Sequence, residues 1–121
     1  MSALAHYNLT LDQGADYRIT PMWLTGRPQL PVDLTGCTAR LQIRETLATA
    51  VPIVSISTLA TAQGGIILGG SAGTIAILIT KAATLAIKFE VGVYDLFVDF
   101  PLGESRRFMD GRVFVQPRVT R

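Results

Sequence analysis

The sequence predicts an all-β fold, one antiparallel, immunoglobulin-like β-sandwich over residues 1–121 with about seven or eight strands and at most one short helix. Three observations carry this expectation. Short apolar runs alternate with period two, as strands buried on one face do. Clusters of Gly, Pro and Asp interrupt them every ~8–15 residues, the punctuation of sandwiches and barrels. Hydrophobic residues make up 49% and charged residues 17% of the 121 positions, which excludes intrinsic disorder and supplies one core. Cys37 is the single cysteine, so no intrachain disulfide braces the fold and packing must hold it. The opening MSALAHYNLTLDQG has neither a basic head nor a continuous apolar run, so no cleaved export signal is expected.

Taken in order, Tyr7, Leu9 and Leu11 share one face of a first strand that Asp12-Gln13-Gly14 ends. Tyr17, Ile19 and Trp23 share a face of the second, and Pro21 makes it an edge strand or marks a bulge. Residues 25–36, rich in Gly and Pro, read as an ordered loop. In 38–45, Ala39, Leu41 and Ile43 alternate with Thr38, Arg40, Gln42 and Arg44, the cleanest half-exposed strand in the chain. Residues 51–58, 65–68 and 74–79 read as three more strands, the last two joined at Gly69–Gly73. Residues 66–87 are apolar enough to mimic a membrane span, but Lys81, the glycine turn and the alternation of Ile75, Ile77 and Ile79 favour strand, turn and strand. Residues 80–89 are the only helix candidate, with Thr80 as N-cap. Residues 92–100 and 104–117 form the strongest pair, a hairpin through Pro101-Leu102-Gly103. Gly111 there signals a bulge or a close backbone approach.

From Thr46 to Thr80, 35 consecutive positions, no Asp, Glu, Lys, Arg or His occurs. Outer faces of a two-layer fold normally carry charge, which keeps them soluble and blocks edge pairing. Two readings follow: a Ser/Thr-rich surface that tolerates low charge, or a contact between subunits, whose buried centres are depleted in charge. The second makes Ser55, Ile56, Ile66, Leu68, Ile75 and Ile77 candidate contact residues. Arg106, Arg107 and Arg112 join them, because residues 104–121 carry five arginines against two carboxylates, and guanidinium pairs well with carboxylate across a contact.

Enzyme chemistry has little to stand on. His6 is the only histidine and sits near an end, and Cys37 has no second cysteine with which to build a zinc or redox site. Asp95 and Asp99 lie on one strand face about 13 Å apart, beyond the roughly 5–9.5 Å of a glycosidase pair. Asp12-Gln13-Gly14-Ala15-Asp16 imitates part of a calcium loop but lacks its remaining ligands, so a turn is expected. Phosphate-cradling and nucleophile-elbow motifs do not occur, and a net charge of +2 gives no nucleic-acid footprint. The expectation is therefore no enzyme, no cofactor or metal, no small-molecule substrate, no nucleic acid and no membrane. A sugar-binding sandwich using Trp23, Tyr7 and Tyr17 as stacking platforms is the alternative.

The order of segments, LTLDQGADYRITPMW, PVDLTGCTARLQIRE, GVYDLFVDF and RRFMDGRVFVQPRVTR, resembles small virion proteins of tailed bacteriophages. It is similar to the β-sandwich N-terminal domain of phage baseplate upper proteins. The matching positions are Gln13, Gly14 and Tyr17, then Asp33-Leu34-Thr35-Gly36 with Arg40 and Arg44, Tyr94-Asp95-Leu96, and Gly111 with Val113, Val115 and Val119-Thr120-Arg121. The resemblance implies a baseplate-adaptor-like sandwich with a structural role in the virion. Such a part is an adaptor or decoration subunit at tail, baseplate or collar, made in the host cytoplasm and helping to attach fibres or spikes. Its partners would be other phage virion proteins and further copies of itself in a homo-oligomer or ring.

Overall fold

A computed structural model describes residues 5–120; Met1–Leu4 and Arg121 lie outside the described residues, and with them the Arg121 end of the basic tail. Its strands are β1 (Ala5–His6), β2 (Leu9–Asp12), β3 (Tyr17–Ile19), β4 (Leu24–Thr25), β5 (Leu30–Pro31), β6 (Thr38–Arg44), β7 (Val54–Ser57), β8 (Gly64–Leu68), β9 (Ile75–Ile79), β10 (Val91–Asp99) and β11 (Ser105–Gln116). One short helix, α1 (Lys81–Ala86), and a single 3-10 turn at Gly70–Ala72 complete it. The large sheet runs β1-β11-β10-β6-β7 with β2 also on β11, the small sheet runs β3-β9-β8, and β4 with β5 forms a separate hairpin. Residues 66–87 are thus strand, turn, strand and helix, and among the described residues no helix is long and apolar enough to cross a membrane.

Alternation builds the core. Ala39, Leu41 and Ile43 of β6 and Tyr94, Leu96 and Val98 of β10 point inward from the large sheet, against Ile66, Ile75, Ile77 and Ile79 of the small one. Trp23, 2% exposed, fills the space between the layers with its ring centroid 5.0 Å from that of Phe108 and 5.9 Å from that of Phe100. Backbone bonds hold Trp23 there, its N–H donating to Gly73 O and its carbonyl accepting from Val32 N. Helix α1 closes one end. Thr80 Oγ1 accepts from Ala83 N as the N-cap, and the buried Thr84 hydroxyl accepts from Gly14 N at 3.0 Å.

Three features depart from expectation. First, β1 and β2 pair with β11 in parallel, Ala5 opposite Met109 and Leu9 opposite Val113, so the sandwich is not wholly antiparallel. Parallel neighbours need a long crossover, and here nearly the whole chain lies between them. Second, the bulge falls at Phe108: Leu96 faces Met109 but Phe97 faces Arg107, which turns both Phe108 and Met109 inward. Gly111 itself is the close backbone approach that was one of its two expected readings, since a Cβ there would stand 2.4 Å from Tyr7 O. Third, residues 25–36 contain part of the β4–β5 hairpin, a pairing of two residues each, too short to leave an alternation signal.

Side chains protect one side of the sandwich. The free edge of β7 is covered by Gln63, whose Oε1 accepts from Ser55 N at 2.9 Å and whose Nε2 donates to Ile53 O at 3.1 Å, so a glutamine amide takes the place of a neighbouring strand. Beside it, the segment around Ala60 lies over Gly65 of β8, where a Cβ would come within 3.3 Å of Ala60.

Candidate interaction surfaces

The outer face of the large sheet is charged, and a cluster at its centre is paired within the face. Phe97 lies at its centre with Arg40 on one neighbouring strand and Arg107 on the other, their guanidinium carbons 5.0 and 5.3 Å from the ring centroid. Arg40 Nε donates to Asp99 Oδ2 at 3.0 Å, and Asp99 also accepts from Ser105 Oγ. Arg107 reaches Asp110 at 3.5 Å and Asp95 at 3.9 Å, and His6 Nδ1 lies 2.6 Å from Asp110 Oδ1. The hydrogen bonds from Arg40, then that from Ser105, hold the Asp99 carboxyl below its usual range. With a depressed folded pKa, this contribution to stability is present above the unfolded carboxylate range and disappears as pH falls through the folded value. Because the pair is partly solvated, Asp99→Asn should cost less than about 1 kcal/mol at pH 7, and the cost should shrink as pH falls through the folded value, as urea melts at stepped acid pH would report.

The outer face of the small sheet is different. Opposed pairs put Gly65 beside Leu78 and Ile67 beside Ala76, with Arg18 of β3 next to Leu78 at the rim. Together with Thr20, Ala60 and Thr61 they line a groove of about 290 Å³. Ile67 is 74% exposed, and among the described residues Arg18 is the only ionisable one lining the groove. A second cleft of about 520 Å³ opens between the β3 edge and the N-terminal strand, bordered by Tyr7, Ile19, Met22, Trp23, Phe108 and Met109. Neither hollow holds paired carboxylates or a nucleophile beside a base.

The structure corrects four of the expected contact residues. Ile56, Ile66 and Ile77 are 2% exposed and Ile75 0%, all inside this chain's own core, so their side chains cannot meet a partner. The cause is strand phase: with Ile75, Ile77 and Ile79 inward, Ala76 and Leu78 must face out. In β8 the run Ile66-Ile67-Leu68 gives no phase of its own, and its register with β9 sets Ile67 outward. Gly65, Ile67, Ala76 and Leu78 are therefore the residues sequence reasoning missed, although the β9 alternation already contained the signal.

Ser55 is exposed on β7, and Leu68 is half-buried against the core. Arg106 bonds Glu104 at 2.7 Å and lies over the Phe100 ring, while Arg107 belongs to the charged face. Arg112 is exposed, with no ion pair among the described residues.

The remaining chemical candidates occupy structural positions. Asp16 Oδ1 accepts from Lys81 N and Asp12 O from Ala15 N, which makes that segment a turn. No group of three metal-ligating side chains occurs among the described residues. Cys37 packs half-buried against the core, and burial, with Asp33 adding to it, pushes its thiol pKa up, away from the reactive thiolate. Burial likewise pushes Tyr17 up to about 12. Trp23, wedged between Phe100 and Phe108, offers no open ring for a sugar, which takes the main platform away from the sugar-binding alternative.

No curated protein matches the chain. A family model described as LtfC-like, beta-sandwich domain matches residues 5–116, from the first described strand to the end of β11. The match takes in both sheets and both outer faces, so the chain belongs to the LtfC-like β-sandwich family, a phage-associated domain of tail-fibre and baseplate type.

Proposed function

We propose that this tail-related module is a non-enzymatic structural part of a tailed-phage virion. It acts as an adaptor or decoration subunit at tail, baseplate or collar and helps to fix fibres or spikes through protein–protein contacts. The observation that carries the proposal is the division of charge between the two outer faces. The large sheet keeps its ions in water and pairs several of them internally, while the small sheet presents Ile67, Leu78 and Ala76 with a single cation at the rim. A face of that composition gains by being covered, and burying it leaves no ion without a partner. The phage-associated family supports the setting.

The test compares two exposed or half-exposed positions. Ile67→Lys places a cation in the groove, where a docked partner would strip its water; Gln42→Lys adds the same charge to the face that already carries ions. In particles assembled with each variant, Ile67→Lys should lower incorporation at least about tenfold while leaving the melting temperature within a few degrees, and Gln42→Lys should leave both unchanged. Equal incorporation of the two variants would overturn the proposal. Ile77 is no substitute for Ile67 in this comparison, because a lysine there would unfold the core.

A further inference from the structure

We infer that the outer face of the small sheet pairs with the same face of a second copy, in an isologous two-fold contact. This rests on the reading of that face as a contact surface and names what covers it.

Charge selects the partner. Stacking the small sheet of one copy on the large sheet of the next would take Arg40, Asp95, Asp99, Arg107 and Asp110 out of water while supplying them with no new partner. Against another small sheet, each copy contributes only Arg18, which stays at the rim. Of the two sheet faces, the neutral one is matched in charge by itself, and a self-complementary patch closes on itself rather than growing into a filament.

Shape selects the axis. In the antiparallel β8–β9 pair, the large side chains Ile67 and Leu78 lie on one diagonal and the small residues Gly65 and Ala76 on the other. A two-fold axis in the plane of the face exchanges the diagonals and so sets large residues over small ones. The hollow over Gly65 is already taken by Ala60 of the same chain, which leaves the one over Ala76 open. Ile67, 74% exposed, is the prominent side chain, and an axis parallel to the strands lays it over Ala76 of the second copy, reciprocally. An axis perpendicular to the strands would drive it onto Ala60 instead, whereas the parallel axis brings only the half-buried Leu78 there. The sheet face measures roughly 15 by 17 Å, well below the roughly 800 Å² per partner of a standard interface, so pairing is weak in solution and gains strength from repetition within a particle.

The experiment is sedimentation equilibrium on the full chain up to about 1 mM, with disulfide trapping. The average mass should rise above 13.1 kDa toward twice that value, and Ile67→Lys, or Ala76→Arg as a second variant, should hold it at the monomer. With Cys37→Ser in the background, mixing Ile67→Cys with Ala76→Cys should give a cross-linked pair at least about tenfold faster than mixing Ile67→Cys with Gln42→Cys. A mass that stays at 13.1 kDa together with equal trapping rates overturns self-pairing. If Ile67→Lys is then still excluded from particles, the face binds a different chain and the structural role stands. Trapped pairs combined with normal incorporation of Ile67→Lys would leave self-pairing intact and remove the structural role instead.

Discussion

Trp23→Ala should destabilise the domain by about 3–5 kcal/mol and lower its melting temperature by roughly 10–25 °C. The indole is the largest fully buried side chain, packed on Phe108 of the large sheet and Phe100 just beyond β10, while its backbone is bonded to Gly73, next to β9 of the small sheet. Truncation leaves a hole that its surroundings cannot easily fill. Phe108 is fixed by the bulge opposite Leu96 and Phe97, and the backbone of residue 23 is pinned by bonds to Gly73 and Val32. The hole also joins the 520 Å³ cleft that Trp23 already borders, so water gains a path toward the core. Trp23→Phe, which keeps a ring against Phe108, should cost clearly less. Urea melts followed by far-UV circular dichroism measure both, and a cost below about 1 kcal/mol for Trp23→Ala would mean that the two layers do not depend on this contact.

What the sequence made legible was local. The alternation of Ala39, Leu41 and Ile43, the Thr80 cap and the hairpin through Pro101-Leu102-Gly103 each depend on neighbours a few residues away, and each is present in the structure. The edge position of β3, announced by Pro21, is present as well. The parallel seat of β1 and β2 was hidden because direction and partner are set by residues at the far end of the chain: nothing near Leu9 encodes that Val113 lies beside it. The outward side of the uncharged segment was misassigned for a related reason. Lack of charge marks a segment, whereas exposure belongs to alternate residues of that segment, and only pairing with β9 decides that Ile67 rather than Ile66 faces out. Gln63 shows the same limit, since a side-chain amide that replaces a strand leaves no periodic trace.

Gly111→Ala should cost about 2–4 kcal/mol, more than an exposed-strand glycine ordinarily would, because the added methyl meets backbone rather than a movable side chain. Its Cβ would lie 2.4 Å from Tyr7 O and 2.9 Å from Tyr7 C, so the N-terminal strand must lift away from β11. Three bonds depend on that approach: Tyr7 N to Asp110 O, Tyr94 Oη to Tyr7 O, and Arg112 N to Asn8 Oδ1, the last two being side chains that fill the gap where the ladder breaks between β1 and β2. Lifting the strand leaves the Tyr94 hydroxyl, on an almost fully buried residue, without its acceptor. Tyr94→Phe alone should cost about 1 kcal/mol, but in the Gly111→Ala background its cost should fall toward zero, since the acceptor has already moved. Urea melts of the four proteins give this coupling. Strict additivity would mean that the methyl is absorbed elsewhere and that the approach of Tyr7 to Gly111 does not seat the first strand.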